Sequence, residues 1–90
     1  MRRLEIYFKS WCPYCNRALN LLDSKGVAYD AIDVTHDMGR ELEMRRRSGR
    51  TSVPQIFAGD RHLGGFDDIA QLDRHGELDP ILSQVTRDAA

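Results

Sequence analysis

The sequence predicts an α/β domain with elements in the order βαβαββα, followed by a last helical stretch. Short runs rich in Ile, Val, Phe and Tyr alternate with segments whose apolar residues recur at helical spacing. Glycine and proline fall between these segments, where they favour turns. A strand, a helix and a second strand open the chain, and this order implies a right-handed crossover between parallel strands. Ninety residues make one compact domain, 1–90.

Local patterns predict each element. Residues 4–8 are a short apolar strand, and Pro13 suits the first helical turn because its missing N–H is not needed there. The helix that follows covers 14–25 and stops at Gly26. The remaining predictions are a strand over 27–34, a helix over 37–48, a strand over 53–57, a turn over 58–61, a short strand at 62–63, a helix capped by Asp67 or Asp68 and running to about residue 75, a helical stretch over 79–85, and a frayed segment over 86–90.

Composition excludes several function classes. The net charge is −1, which gives no electrostatic case for binding nucleic acid or a membrane surface. No apolar run is long enough to cross a bilayer. The first residues lack the apolar core of a signal peptide, so we expect a cytoplasmic protein. Cysteines are seldom structural disulfides in that compartment, and a close pair there is more often catalytic or metal-binding.

The two cysteines, Cys12 and Cys15, lie in a Cys-x-x-Cys motif at the start of the first predicted helix. The unpaired N–H groups of that helix end favour a thiolate at Cys12, and Lys9 adds positive charge. Cys15 lies one turn further along, where it can close a small disulfide ring. The motif favours a redox switch, with inert buried thiols or a metal site as alternatives. Structural zinc needs four ligands, and the histidines are scattered along the chain, at positions 36, 62 and 75.

Four landmarks in this order resemble the glutaredoxin family of the thioredoxin fold, in particular its small bacterial dithiol members. They are Cys12-Pro13-Tyr14-Cys15, Thr51-Ser52-Val53-Pro54, Gly64-Gly65 and Asp67-Asp68. The similarity extends from residue 4 to about residue 82. It implies a four-stranded mixed sheet with flanking helices.

The resemblance also implies an activity: a glutathione-dependent thiol–disulfide oxidoreductase. Cys12 would be the nucleophile and Cys15 the resolving thiol, and the two would form a redox-active disulfide. Glutathione would be a cosubstrate, with no metal and no tightly bound cofactor. The partners would be glutathionylated or disulfide-containing proteins, and we expect a monomer.

A glutathione groove is implied by the same resemblance. Val53-Pro54 would be a cis peptide whose backbone pairs with glutathione, and Lys9 would meet its glycine carboxylate. The expected groove residues are Lys9, Tyr14, Ser52, Val53, Pro54, Gly65, Phe66, Asp67 and Asp68. Two of them depart from the family pattern: Ser52 replaces a frequent Thr, and Phe66 replaces a small or polar residue. Relatives also use a basic or amide side chain of the second helix to bind this carboxylate. In this chain, the corresponding position is either one of the arginines of that helix or Glu41.

Three other functions are alternatives to a glutathione-dependent oxidoreductase. One is a carrier of an iron–sulfur cluster ligated with glutathione, against which the stiff Pro13 argues. Another is a redoxin reduced by thioredoxin reductase, against which Lys9 and Asp67-Asp68 argue because such proteins lack a glutathione groove. The third is a binding module with incidental thiols.

Overall fold

The computed structural model describes residues 3–89, and its elements follow the predicted order. The strands are β1 (Leu4–Phe8), β2 (Asp30–Asp33), β3 (Gln55–Ala58) and β4 (Arg61–Gly64). The helices are α1 (Pro13–Ser24), α2 (Met38–Ser48), α3 (Phe66–Arg74) and α4 (Leu78–Ala89).

The strands form one four-stranded mixed sheet in the order β2-β1-β3-β4. β1 pairs in parallel with β2, as the strand-helix-strand order predicts, and antiparallel with β3. β3 and β4 form an antiparallel hairpin with a register shift between Ile56 and Phe57. The predicted mixed sheet is therefore confirmed.

Alternation along the strands sends side chains to two cores, because successive residues of a strand face opposite sides of the sheet. Leu4 and Ile6 belong to the larger core, in which residues of α1, α3 and α4 pack on one face of the sheet. Tyr7 points the other way and packs with Phe57 and Met44. Met44 is the buried residue of α2, so this helix covers its face of the sheet along a narrow stripe.

Several boundaries differ from the predicted ones. β2 is Asp30–Asp33 instead of 27–34, since its ladder with β1 starts at the Glu5–Asp30 pair. β3 starts at Gln55 instead of residue 53, because Pro54 has no N–H to give to a ladder. β4 exceeds the predicted 62–63 by one residue at each end. α4 is Leu78–Ala89, so the backbone expected to fray beyond residue 85 continues as helix up to residue 89.

Arg45, Arg46 and Arg47 of α2 are all exposed, and Arg47 in addition contacts the smaller core. The Arg47 guanidinium lies 4.1 Å from the centre of the Phe57 ring. It also donates to the Tyr7 hydroxyl at 2.8 Å and to Glu5 at 3.0 Å. Arg47 therefore closes the side of the smaller core, a structural role that its position in a basic run does not reveal.

Candidate redox site

Cys12 is the N-cap residue of α1, with extended backbone before the first helical turn. Its Sγ accepts a hydrogen bond from the Cys15 N–H at 3.3 Å, which is the bond that a capping oxygen accepts in other helices. Pro13 follows at the start of the helix, and the first turn holds no acidic residue. A negative charge on this sulfur is therefore stabilised by the helix terminus without competition from a nearby carboxylate of the same turn.

Both thiols are buried: Cys15 fully, whereas Cys12 keeps 5% of its surface exposed. Burial raises the pKa of the Cys15 thiol to about 12, although the Lys9 backbone N–H donates to its sulfur at 3.5 Å. Cys15 thus stays protonated at neutral pH and is a poor nucleophile while Cys12 is free. Both cysteines are unpaired thiols in this structure.

The loop before β3 faces the outer thiol. The Val53–Pro54 peptide bond is cis, which confirms the prediction made from the resemblance. The Val53 carbonyl oxygen lies 3.8 Å from Cys12 Sγ and accepts from the thiol. The fold thereby brings together residues that are 41 positions apart in the chain.

Gln55 holds this loop in place, a role that was not predicted from the sequence. The side chain is fully buried, and its Nε2 donates to the Ser52 carbonyl oxygen at 3.0 Å. Its Oε1 lies 2.7 Å from His62 Nε2 on β4. A single polar residue between Pro54 and the apolar end of β3 was the available signal, because a buried amide requires partners.

The start of α3 lies close to the cis-proline loop. A Cβ at Gly65 would lie 3.3 Å from the Pro54 carbonyl oxygen, so the two segments approach closely there. The predicted cap is wrong: Gly65 is the N-cap, and Asp67 and Asp68 are in the first turn. The reason is that Asp68 reaches back to accept from the Gly65 N–H at 2.9 Å, as the third residue of a capping box does.

Arg50 is the second partner of Asp68. Its guanidinium donates to the same carboxylate oxygen, Oδ2, at 2.9 Å. Together with the Gly65 N–H, this bond holds the pKa of Asp68 below its usual value. Asp67 is exposed in the same turn. The start of α3 therefore offers backbone N–H groups with one engaged and one exposed carboxylate.

Tyr14 and Phe66 lie between α1 and α3. Their ring centres are 6.3 Å apart, and Tyr14 is half exposed. The Arg17 guanidinium lies 5.3 Å from the centre of the Tyr14 ring. The two aromatic residues predicted to line the groove therefore lie next to each other.

The Lys9 side chain lies against α2. Its Nζ is 3.5 Å from Glu41 Oε2, and the Arg45 guanidinium is 2.8 Å from the same oxygen. Lys9 also lies 5.8 Å from the centre of the exposed Trp11 ring. The second helix therefore places a carboxylate, Glu41, against the lysine.

Two kinds of site are absent from residues 3–89. Among these residues, no three His, Cys, Asp or Glu side chains gather into a group able to hold a metal ion. No helix of that part of the chain is long and apolar enough to span a membrane.

The comparisons with known proteins agree with this geometry. The Glutaredoxin family model matches residues 4–63. The chain is 50% identical over 82 residues to Glutaredoxin 3 of Escherichia coli K12, which covers 91% of this chain and 99% of the relative. It is 46% identical over 83 residues to Glutaredoxin of Pseudomonas aeruginosa, covering 92% and 99%.

Solved structures give the same result. The crystal structure of a buckwheat glutaredoxin–glutathione complex superposes with a TM-score of 0.85 at 29% identity, covering 93% of this chain and 79% of that one. The solution structure of glutaredoxin from Brucella melitensis has a TM-score of 0.79 at 44% identity, covering 91% and 89%. The chain therefore belongs to the glutaredoxin family of thiol oxidoreductases, redox proteins of the thioredoxin fold.

Proposed function

We propose that this protein reduces protein–glutathione mixed disulfides and protein disulfides at the expense of glutathione. The observation that carries the proposal is Cys12 Sγ at the N-cap of α1, directed at the Val53 carbonyl oxygen at 3.8 Å. This places the Cys12 sulfur beside an extended backbone segment with which a thiol peptide can pair. A relative of 29% identity was solved as a glutathione complex, which supports glutathione as that peptide.

Glutathione has a carboxylate at each end, and the proposed groove has a charged group at each end to match. At the γ-glutamyl end, defined by Arg50, Gly65, Asp67 and Asp68, the α3 N-terminus takes the α-carboxylate and an Asp takes the ammonium. At the glycine end, defined by Lys9, Glu41 and Arg45, Lys9 takes the glycine carboxylate. The sides of the groove are formed by the remaining predicted residues, Tyr14, Ser52, Val53, Pro54 and Phe66.

The exchange proceeds in two displacements. The Cys12 thiolate attacks the glutathione sulfur of the mixed disulfide, the original S–S bond breaks, and the protein thiolate leaves and takes a proton from solvent. A second glutathione thiolate then attacks the Cys12–glutathione disulfide, releasing glutathione disulfide and the Cys12 thiolate. One glutathione is consumed for each protein thiol regenerated.

Protein disulfides require Cys15. Cys12 first attacks one sulfur of the protein disulfide, and the other sulfur leaves as a thiolate that takes a proton from solvent. Cys15 Sγ then attacks Cys12 Sγ, the mixed disulfide bond breaks, and the proton of Cys15 passes to the departing protein thiolate. Two glutathione molecules reduce the resulting Cys12–Cys15 disulfide. All of these groups come from one chain, so we propose that a monomer suffices, acting in the glutathione-rich cytoplasm.

The test is reduction of a mixed disulfide coupled to glutathione reductase, for the wild type, Cys12→Ser and Cys15→Ser. We expect turnover in the wild type, none in Cys12→Ser, and partial activity in Cys15→Ser because the two-displacement route needs only Cys12. Equal rates in the wild type and Cys12→Ser would contradict the mechanism. Replacing glutathione and its reductase with thioredoxin reductase should abolish turnover; undiminished rates would favour a thioredoxin-reductase-dependent redoxin instead.

Alkylation tests the unequal roles of the thiols independently of turnover. With its pKa raised, Cys15 remains protonated at pH 7, so iodoacetamide should label Cys12 and spare Cys15. Mass spectrometry of the wild type and Cys12→Ser identifies the labelled residue. Equal labelling rates of Cys15 and Cys12 would contradict the assignment of Cys12 as nucleophile.

A further inference from the structure

We propose that Glu41 makes the glycine end indifferent to negative charge, so that thiols with an uncharged C-terminal end react as well as glutathione does. Glu41 is then a specificity-determining residue. Glu41 acts through Lys9 and has no hydrogen bond to the Cys12 sulfur. The inference rests on the proposed function, because it concerns how Lys9 of the same groove meets its ligand.

The geometry places a carboxylate of the protein where the carboxylate of the ligand is expected. Glu41 Oε2 lies 3.5 Å from Lys9 Nζ and 2.8 Å from the Arg45 guanidinium. Lys9 and Arg45, the two cations of the glycine end, therefore share one internal anion. Glutathione binds there either by displacing Glu41 from Lys9 or by accepting Glu41 as a neighbour of like charge.

Burial makes that competition strong. The Lys9 and Glu41 side chains are 22% and 18% exposed, so water and salt screen their pair poorly. Glu41 lies in the first turn of α2, where the positive helix end stabilises its negative charge. The backbone N–H of Glu41 is bonded to the Asp37 carbonyl oxygen at 3.0 Å, which keeps the residue in the helix. The attraction of Lys9 for an incoming carboxylate is thus offset by repulsion from Glu41.

The test uses two substrates that differ only at the glycine carboxylate: a peptide disulfide-linked to glutathione, and the same peptide linked to glutathione ethyl ester. Chromatography of the released peptide thiol gives kcat/KM for each. The measured quantity is the ratio of kcat/KM for the acid to kcat/KM for the ester. It is determined in the wild type, in Glu41→Gln and in Glu43→Gln.

Glu43→Gln is the matched control, since Glu43 is on the same helix but its carboxylate bonds to Arg40 and Tyr7 instead of Lys9. We expect a wild-type ratio within about threefold of one, and a rise of about fivefold to twentyfold in Glu41→Gln, within the usual range of coupled charges. Glu43→Gln should change the ratio by less than about twofold, because water and salt screen the effect of a charge on α2 that does not contact Lys9. Thermal melting checks that each variant is folded.

The outcomes separate the two proposals. A ratio that is the same in the wild type and Glu41→Gln, or an equal rise in Glu43→Gln, would overturn the role of Glu41 while turnover with glutathione leaves the proposed function standing. A wild-type protein that turns over neither substrate would overturn the proposed function and this inference together.

Discussion

The two ends of the proposed groove each contain a cation paired with a carboxylate, yet the two pairs differ in their surroundings. At the γ-glutamyl end, Arg50 and Asp68 are 2.9 Å apart and 48% and 43% exposed. At the glycine end, Lys9 and Glu41 are 3.5 Å apart and 22% and 18% exposed. The shorter pair is therefore the more exposed one, and water and salt weaken it despite its better distance.

The charged side chains are held in position differently at the two ends: mainly by backbone at one end and by side-chain packing at the other. Asp68 is held by the Gly65 N–H as well as by Arg50, so the γ-glutamyl end depends on the backbone at the start of α3. Lys9 is in the loop after β1 and Glu41 is on α2, so their relative position depends on how α2 packs. We expect backbone substitutions to disrupt the first end and charge substitutions to alter the second.

The largest effect should come from Gly64→Ala, at the backbone that supports the γ-glutamyl end. Gly64 has φ +112°, and a Cβ there would lie 2.6 Å from Asp68 Cγ. We expect a loss of about 2–4 kcal/mol in the free energy of unfolding, measured by urea denaturation. Gly26→Ala is the control, with φ +68° and no neighbour within 4 Å, and should cost about 1 kcal/mol. Equal losses would mean that the contact with Asp68 is unimportant.

The next largest loss of stability should come from Lys9→Met. This variant leaves the largely buried Glu41 carboxylate with Arg45 as its remaining partner. We expect a loss of about 1–2 kcal/mol, less than for a fully buried pair because Arg45 stays. Thermal and urea unfolding measure it. The double variant Lys9→Met/Glu41→Gln should regain most of this loss, since the uncompensated carboxylate is gone. A double variant as unstable as two independent losses would contradict the proposed coupling.

Asp68→Asn should lower the free energy of unfolding by about 1 kcal/mol near neutral pH, the usual size of a helix-capping contribution. Because the pKa of Asp68 is depressed in the folded state, its contribution is complete above the unfolded pKa, near 4, and is lost as pH falls through the folded value. Unfolding of the wild type and variant should therefore differ between pH 5 and 8 and converge at lower pH. Asp67→Asn, in the same turn, measures the general effect of removing a charge. A difference that grows with acidity would contradict the sign.

The smallest effect should come from Arg50→Met, which breaks the exposed pair but leaves the Gly65 N–H bonded to Asp68. We expect a loss of no more than about 0.5 kcal/mol, as for other exposed ion pairs. Unfolding measured in low and high salt should show that the difference from the wild type shrinks as salt is added. A loss larger than that of Lys9→Met would reverse the comparison between the two ends.

Much of the fold was predictable because it follows local patterns. The apolar run over 4–8 predicts β1, and Pro13 with Gly26 predicts the limits of α1 to within a residue or two. The boundaries that failed depend on pairing partners: β2 ends where β1 provides no further partner, and β3 starts after Pro54. Pairing is a tertiary property, so a run of apolar residues alone places a strand only approximately.

The candidate site was predictable to a similar degree. The motif with Cys12 and Cys15 is contiguous, and the resemblance led to the cis Val53–Pro54 peptide that the structure contains. Gln55 was missed because its partners, Ser52 and His62, become neighbours only through the hairpin. The cap of α3 was misassigned because aspartate is a common N-cap and here occupies the third helical position instead.

The sequence by itself determined the order of the elements and the thiol pair at a helix terminus, because both depend on residues that are close along the chain. Tertiary structure alone decided which acid meets which base. Lys9 and Glu41 are separated by 32 positions, and Arg50 and Asp68 by 18. A lysine or arginine side chain is long enough to reach several carboxylates, and the local sequence does not favour one of them. The packing of α2 and α3 on the sheet therefore decides which carboxylate each cation pairs with.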